Sequence, residues 1–291
     1  MESASMKKHR VHLILTVTIF ISFLGRDANA QSVLERPARL ATYNIRYANR
    51  GDGLDWWGNR AEAVGDYLKQ FDIIGLQEVT PVQLSELQKK LVEFNAYGVG
   101  RDDGKKLGEH AVIFYRKNRF EQSSKGTFWL SENPQKIGVA GWDAALPRTC
   151  TWVKLEEAGT GKSFLVGNTH FDHRGSLART QSGELIREKL IEIADGIPIV
   201  LIGDFNCLPK SDPYLAITAG DQFIDAREVS PEKVNLSAGT WNGFKEIARG
   251  RIIDHIFLHG KFSVMEYAID DPRTDQSRFA SDHLPVRVVI Q

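Results

Sequence analysis

The chain is built around short apolar runs that each stop on a polar side chain capable of chemistry. The most explicit is Ile197-Pro198-Ile199-Val200-Leu201-Ile202, followed by Gly203, Asp204, Phe205 and Asn206. An apolar run of this length marks a strand covered on both faces, and its end emerges at the rim of a sheet. Side chains alternate along extended chain, so Asp204 and Asn206 present a carboxylate and an amide to one site. Runs of the same kind end on Asn44, on Glu78 and on His170. Near the C-terminus, Asp254 follows Ile252 and Ile253, and Asp282 and His283 precede a last strand over 284–290. A charge at such a position is costly unless it is paired or bound to a cation. Recurrence along the chain points to one shared site rather than to unrelated turns.

Between these runs the apolar spacing changes to that of helices. Ala63, Val64, Tyr67 and Leu68 predict a helix over 60–70. Thr80 and Pro81 supply a cap and a first helical residue for a second helix over 82–94. A third is expected over 178–194, and strands over 109–115, 124–130 and 149–156. Alternation of this kind argues for α/β layers. No linker divides residues 31–291, which read as a single domain.

The first thirty residues read as a secretory signal, with Lys7, Lys8 and Arg10 ahead of an apolar stretch and Ala28-Asn29-Ala30 as the cleavage site. Cleavage after Ala30 predicts a secreted or periplasmic protein without stable membrane insertion. It leaves 33 basic against 35 acidic residues, a net charge near −2. A protein that grips a nucleic-acid backbone generally carries a basic excess, so this balance lowers the case for a polymeric substrate. Export permits a disulfide between Cys150 and Cys207, and their places beside site strands favour free thiols without deciding the pair. A monomer is the default expectation.

Gly161-Lys162-Ser163 mimics the end of a phosphate-binding loop. That loop needs a glycine at position 156, which is Glu, and a helix after Ser163, where a strand is expected instead. The segment is read as a hairpin turn.

Taken together, Thr42-Tyr43-Asn44, Gln77-Glu78, Asn168-Thr169-His170, Gly203-Asp204-Phe205-Asn206, Ile253-Asp254-His255 and Ser281-Asp282-His283 resemble, in order, the motifs of the endonuclease/exonuclease/phosphatase superfamily. The stretches 126–131, 141–143, 148–152 and 170–175 look like a less characterised secreted bacterial branch related to the deadenylase-type members. The resemblance implies a deoxyribonuclease I-like, four-layer α/β sandwich, with two central mixed β-sheets flanked by helices, and metal-dependent hydrolysis of a phosphate ester.

The residue types suit that reaction. Glu78 and Asp282 are hard oxygen donors of the kind Mg2+ or Mn2+ takes. Asp204 has, in the family, the role of accepting a proton from attacking water. Asn44 and Asn206 supply amide donors, and His170 and His283 suit hydrogen bonding to a developing pentacovalent phosphate. Asp254 is expected to orient His283, and Glu109 to orient His170. Arg148 is a candidate phosphate clamp, with Arg174 and Arg179 as weaker ones. Trp241 is a candidate stacking surface for a sugar or base, as are Trp56, Trp57 and Trp142. His110 is a candidate for lining the pocket, whereas His173, His255 and His259 are expected to be structural or exposed.

The leading expectation is therefore an exported metal-dependent phosphodiesterase or phosphomonoesterase for a small or carbohydrate-linked phosphate ester. The alternatives are a secreted nuclease, for which nucleic acid is the partner, and a non-catalytic binding module on the same fold. A lipid phosphodiesterase has less support, since no long apolar hairpin is evident.

Overall fold

The computed structural model describes Met1 and residues 32–236 and 238–291; the expected signal segment and its cleavage site lie outside the described residues. The strands are β1 (Ala38–Asn44), β2 (Ile73–Val79), β3 (Phe94–Tyr97), β4 (His110–Arg116), β5 (Phe120–Trp129), β6 (Thr149–Glu157), β7 (Lys162–His170), β8 (Ile199–Asp204), β9 (Ile224–Asp225), β10 (Glu232–Val234), β11 (Asp254–His259), β12 (Val264–Ile269) and β13 (Val286–Ile290). They form a seven-stranded sheet, ordered β10-β12-β13-β1-β2-β4-β3, and a six-stranded sheet, ordered β5-β6-β7-β8-β11-β9. Both are mixed: β1 runs parallel to β2 and β7 to β8, while β13 and β11 run antiparallel to β1 and β8. Helices α1 (Trp57–Leu68) and α2 (Pro81–Lys90) lie against the first sheet, and α3 (Ser176–Ala194) and α4 (Asp212–Thr218) against the second; α5 (Ala226–Val229) is a single turn. This is the four-layer sandwich expected.

The unbroken apolar runs follow from burial on both faces. In β8, Val200 and Ile202 pack between the sheets, while Ile199 and Leu201 meet α3 and α4. In β1, Leu40 faces the other sheet and Ala41 and Tyr43 face the outer helices. Close packing of the sheets depends on Gly75, where a Cβ would stand 2.3 Å from Ile202 Cδ1 and 3.1 Å from Asn168 Cγ. Beside it a polar staple crosses the seam. Asn168 on β7 donates to the carbonyls of Leu76 and Val112 at 2.9 Å and accepts from Gln77 Nε2 at 2.7 Å. Buried amides are tolerated when satisfied in this way.

Local signals set most of the boundaries. Thr80 caps α2 through a reciprocal capping box with Gln83, and Pro81 opens the helix. That helix stops at Lys90, short of the expected 94, and Phe94 opens β3 instead. Leu87, Leu91 and Phe94 keep helical spacing because all three reach one outer core, by two different backbone paths. Helix α1 starts at Trp57, three residues before expectation, since Trp56 makes no side-chain cap that would mark the start. Strand β5 begins at Phe120, ahead of the expected 124; as an edge strand its early part exposes alternate polar residues and lacks an apolar run. Residues 158–161 turn between β6 and β7, as expected of the false phosphate loop. Cys150 and Cys207 are buried and free. Among the described residues, no helix is long and apolar enough to cross a membrane.

Candidate active site

Sheet direction gathers the polar strand ends. β1, β2, β7 and β8 point their C-terminal ends to one rim, and β11 and β13 start there because they run the other way. In register, Asp204 pairs with Asp254 on one side and His170 on the other. Asn44 pairs with Gln77, next to Glu78. Around them opens a cleft of ≈ 460 Å³ that includes Glu78, Glu109, Arg148, His170, Asp204, Asn206, Trp241, Asp282 and His283 in its lining.

Two side chains reach the cleft through unusual backbone. The β2–β4 pairing shifts register between Leu76 and Val79, and Glu78 within that bulge has φ 60°. A bulge re-aims a side chain, and positive φ in a non-glycine residue stores strain that the surroundings must hold. The surroundings do so: Oε1 accepts from Asn44 Nδ2 and Oε2 from the Tyr47 amide, both at 3.0 Å. Asn206, with φ 46°, donates its backbone N–H to Asp204 Oδ1 at 2.9 Å. Its side-chain amide lies 3.2 Å from His170 Nε2 and donates to the Phe171 carbonyl at 3.1 Å.

Asp204 is the hub. Asn44 Nδ2 donates to Oδ2 at 3.0 Å, and the Nε2 atoms of His170 and His283 stand 3.4 and 3.7 Å from the same oxygen. Burial, then repulsion from Asp254, pushes its carboxyl up to about 7, against the pull of His283 and Asn44. His283 Nδ1 is 2.9 Å from Asp254 Oδ2. Burial alone would lower that imidazole, but the carboxylates of Asp254 and Asp204 overcome it and raise it to about 10. The Thr240 hydroxyl accepts from the backbone of Ile253 and Asp254 and fixes the segment.

Glu78 and Asp282 fit a hard cation. Both are carboxylates on the cleft, and burial followed by the nearby Glu78 charge pushes Asp282 up. Arg46 Nε stands 4.0 Å from Asp282 and is itself paired with Asp52. A divalent ion would relieve that repulsion and suits an all-oxygen donor set. Asp204, Asp254 and His283 also bring one ligand atom each within 4.8 Å of one another.

Two expectations are corrected. Glu109 lines the cleft but takes Arg101 as its partner, at 2.8 and 3.1 Å, and His170 faces Asn206 and Asp204 instead. A bidentate guanidinium outcompetes an imidazole for a carboxylate. Arg174 is exposed and outside the lining, its backbone N–H given to Asp172. His173, expected to be structural or exposed, is exposed and lines the cleft, 3.1 Å from Arg148 Nη2. His255 is structural, between Asp225 and the Cys207 carbonyl. His110 lines a smaller recess beside Glu78. Arg148 is buried, held by Asp172 and His173, and its Nη1 has no protein partner. Arg46, Tyr47, Leu146 and Arg251 were not foreseen. Only Arg251, whose guanidinium lies 4.3 Å from the Trp241 ring, carried a readable hint: a base ten residues after a rim tryptophan.

The Endonuclease/Exonuclease/phosphatase family model matches residues 41–283, and the chain belongs to that family. The family is one of divalent-metal-dependent hydrolases of phosphate esters, and Asp204, Asp254 and His283 form a cluster that could hold a metal ion. Among solved structures, an endonuclease/exonuclease/phosphatase from Bacteroides vulgatus is 39% identical, with TM-score 0.84 over 88% of this chain and 99% of its own. The mannosyl-6-phosphatase of Bacteroides thetaiotaomicron is 38% identical, with TM-score 0.82 over 87% of this chain and 99% of its own. An uncharacterized protein of Acanthamoeba polyphaga mimivirus is 27% identical over 88% of this chain and 46% of its own length. The chain spans about half the length of the curated relatives it matches.

Proposed function

We propose that this protein is an exported, magnesium-dependent hydrolase of a carbohydrate-linked phosphate ester. The carrying observation is the cleft itself, where the histidines, Asp204 and the paired acids Glu78 and Asp282 converge beside a buried arginine with a free donor. The net charge near −2 after removal of residues 1–30 favours a short substrate over a polymer. The likeness to a mannosyl-6-phosphatase favours a sugar as the alcohol part.

Glu78 and Asp282 would hold the magnesium, which supplies charge neutralisation at the phosphate and leaving oxygen. Arg148 Nη1 binds a phosphate oxygen bidentately with its neighbouring donor. Asp204, kept basic by burial and aimed by Asn44 and Asn206, takes the proton of water attacking in line with the leaving oxygen. His283, protonated against Asp254, donates to an equatorial phosphate oxygen as charge builds there. His170 and Asn206 hold the opposite side of the phosphate. Trp241, stacked on Arg251, offers a flat face to the sugar.

The test is hydrolysis by residues 31–291 of mannose 6-phosphate, nitrophenyl phosphate, bis-nitrophenyl phosphate, single-stranded DNA and RNA, with magnesium, manganese or chelator. Turnover of sugar and nitrophenyl phosphates that chelator and Asp204→Asn abolish is expected. Cleavage of DNA or RNA in preference to the small esters would replace this reading with that of a secreted nuclease.

A further inference from the structure

Arg60, on α1, is 1% exposed, and its hydrogen bonds go to main-chain carbonyls rather than to a carboxylate. Nε donates to Asp55, Nη1 to Ile45 at 2.9 Å and Ala280 at 2.7 Å, and Nη2 to Arg46 at 3.3 Å. The rings of Trp57 and Phe244 flank the guanidinium, at 5.6 and 5.2 Å. A buried cation without a paired carboxylate is an expensive way to brace a fold. Its position supplies the reason for it.

Three of the four carbonyls it gathers lie beside a residue that holds Glu78 or on the segment that carries Asp282. Ile45 and Arg46 follow Asn44, whose amide holds Glu78, and Ala280 stands two residues ahead of Asp282. Ser281 Oγ ties the same segments again, donating to the Asn44 carbonyl at 2.7 Å. These segments lie more than 200 residues apart in the chain, and Arg60 is the fork that spans them. We propose that Arg60 is the positioning residue of the cation platform: it sets the spacing of Glu78 and Asp282, and its charge offsets their mutual repulsion. The proposal rests on the assignment of these acids as cation ligands.

Arg60→Lys keeps the charge and loses the fork, and Arg60→Gln loses both. The readout is Mn2+ binding to metal-free protein by electron paramagnetic resonance, with the Mn2+-induced gain in Tm alongside. Loss of a residue that orients metal ligands typically costs about 10–100-fold in affinity, and that weakening is expected for both variants. Variants that melt lower in chelator yet bind Mn2+ as tightly as wild type would show Arg60 to be a fold brace and overturn the proposal. If neither variant folds, Phe244→Leu loosens the guanidinium by removing one flanking ring, and unchanged Mn2+ affinity there overturns it equally. Glu78→Gln is the control: wild-type Mn2+ affinity in that variant would remove the ligand assignment and Arg60's role together.

Discussion

Two of the cleft histidines, His170 and His283, face the same oxygen of Asp204, and their environments make them chemically different. His283 has a buried carboxylate, Asp254, behind its Nδ1 and is held as a cation. For His170 the expected carboxylate, Glu109, is taken by Arg101. Burial, then the charges of Arg148 and Arg101, push that imidazole well below its ordinary value. A symmetrical pair by sequence is thus an acid and a neutral ligand by structure. The difference lies in what surrounds the rings, a carboxylate behind His283 and burial with Arg148 and Arg101 around His170, not in the histidines.

Breaking the cationic side should have the largest effect. Asp254→Asn removes the charge that holds His283 protonated and is expected to lower kcat by about 10²–10⁴, measured on nitrophenyl phosphate at saturating metal. His170→Gln should cost less, about 10²-fold, the usual loss for one positioned donor. A larger loss at His170 than at Asp254 would reverse the assignment. Arg101→Gln releases Glu109 and removes a nearby positive charge, so the His170 pKa should rise, read by NMR titration of the imidazole. An unmoved His170 would show that burial and Arg148 set it without Arg101.

The smallest effect concerns a histidine away from the cleft, His255, that sharpens the contrast. His255 is buried, which alone would lower it, yet the Asp225 hydrogen bond and the Cys207 contact raise it to about 10. Its folded value exceeds its unfolded value near 6.5, so its contribution to stability is complete below pH ~6.5 and is lost as pH rises through about 10. Tm should therefore fall between pH 7 and 10, by about 2–4 °C per kcal/mol lost. Asp225→Asn should flatten that slope; an unchanged slope would remove His255 as its source.

What was legible in the chain follows from this contrast. Asn44, Glu78, His170, Asp204, Asp254 and His283 stand at ends of apolar runs, where alternation and burial leave few alternatives. Strand direction then brings them together. Arg46, Arg101, His173 and Arg251 come from loops, whose residues look like solvated charge until tertiary structure places them. Glu109 failed for a related reason. Its place at the start of β4 was readable, but its partner was decided by a loop arginine eight residues earlier. Strands β9, β10 and β12, short or peripheral, left no clean apolar run to read.

The seam between the sheets has a consequence for how such an enzyme diversifies. Asn44 and Glu78 ride on one sheet, and His170, Asp204 and Asp254 on the other, so the distances from Asn44 and Glu78 to Asp204 are distances between two bodies. Gly75 against Ile202, and Asn168 bonded to Gln77, Leu76 and Val112, deny those bodies freedom to slide. The rim of the cleft, Tyr47, Leu146, His173, Trp241 and Arg251, stands on loops outside that constraint. Substrate choice is in this way uncoupled from reaction geometry: rim residues can be exchanged to fit a new leaving group while the hydrolytic frame keeps its alignment.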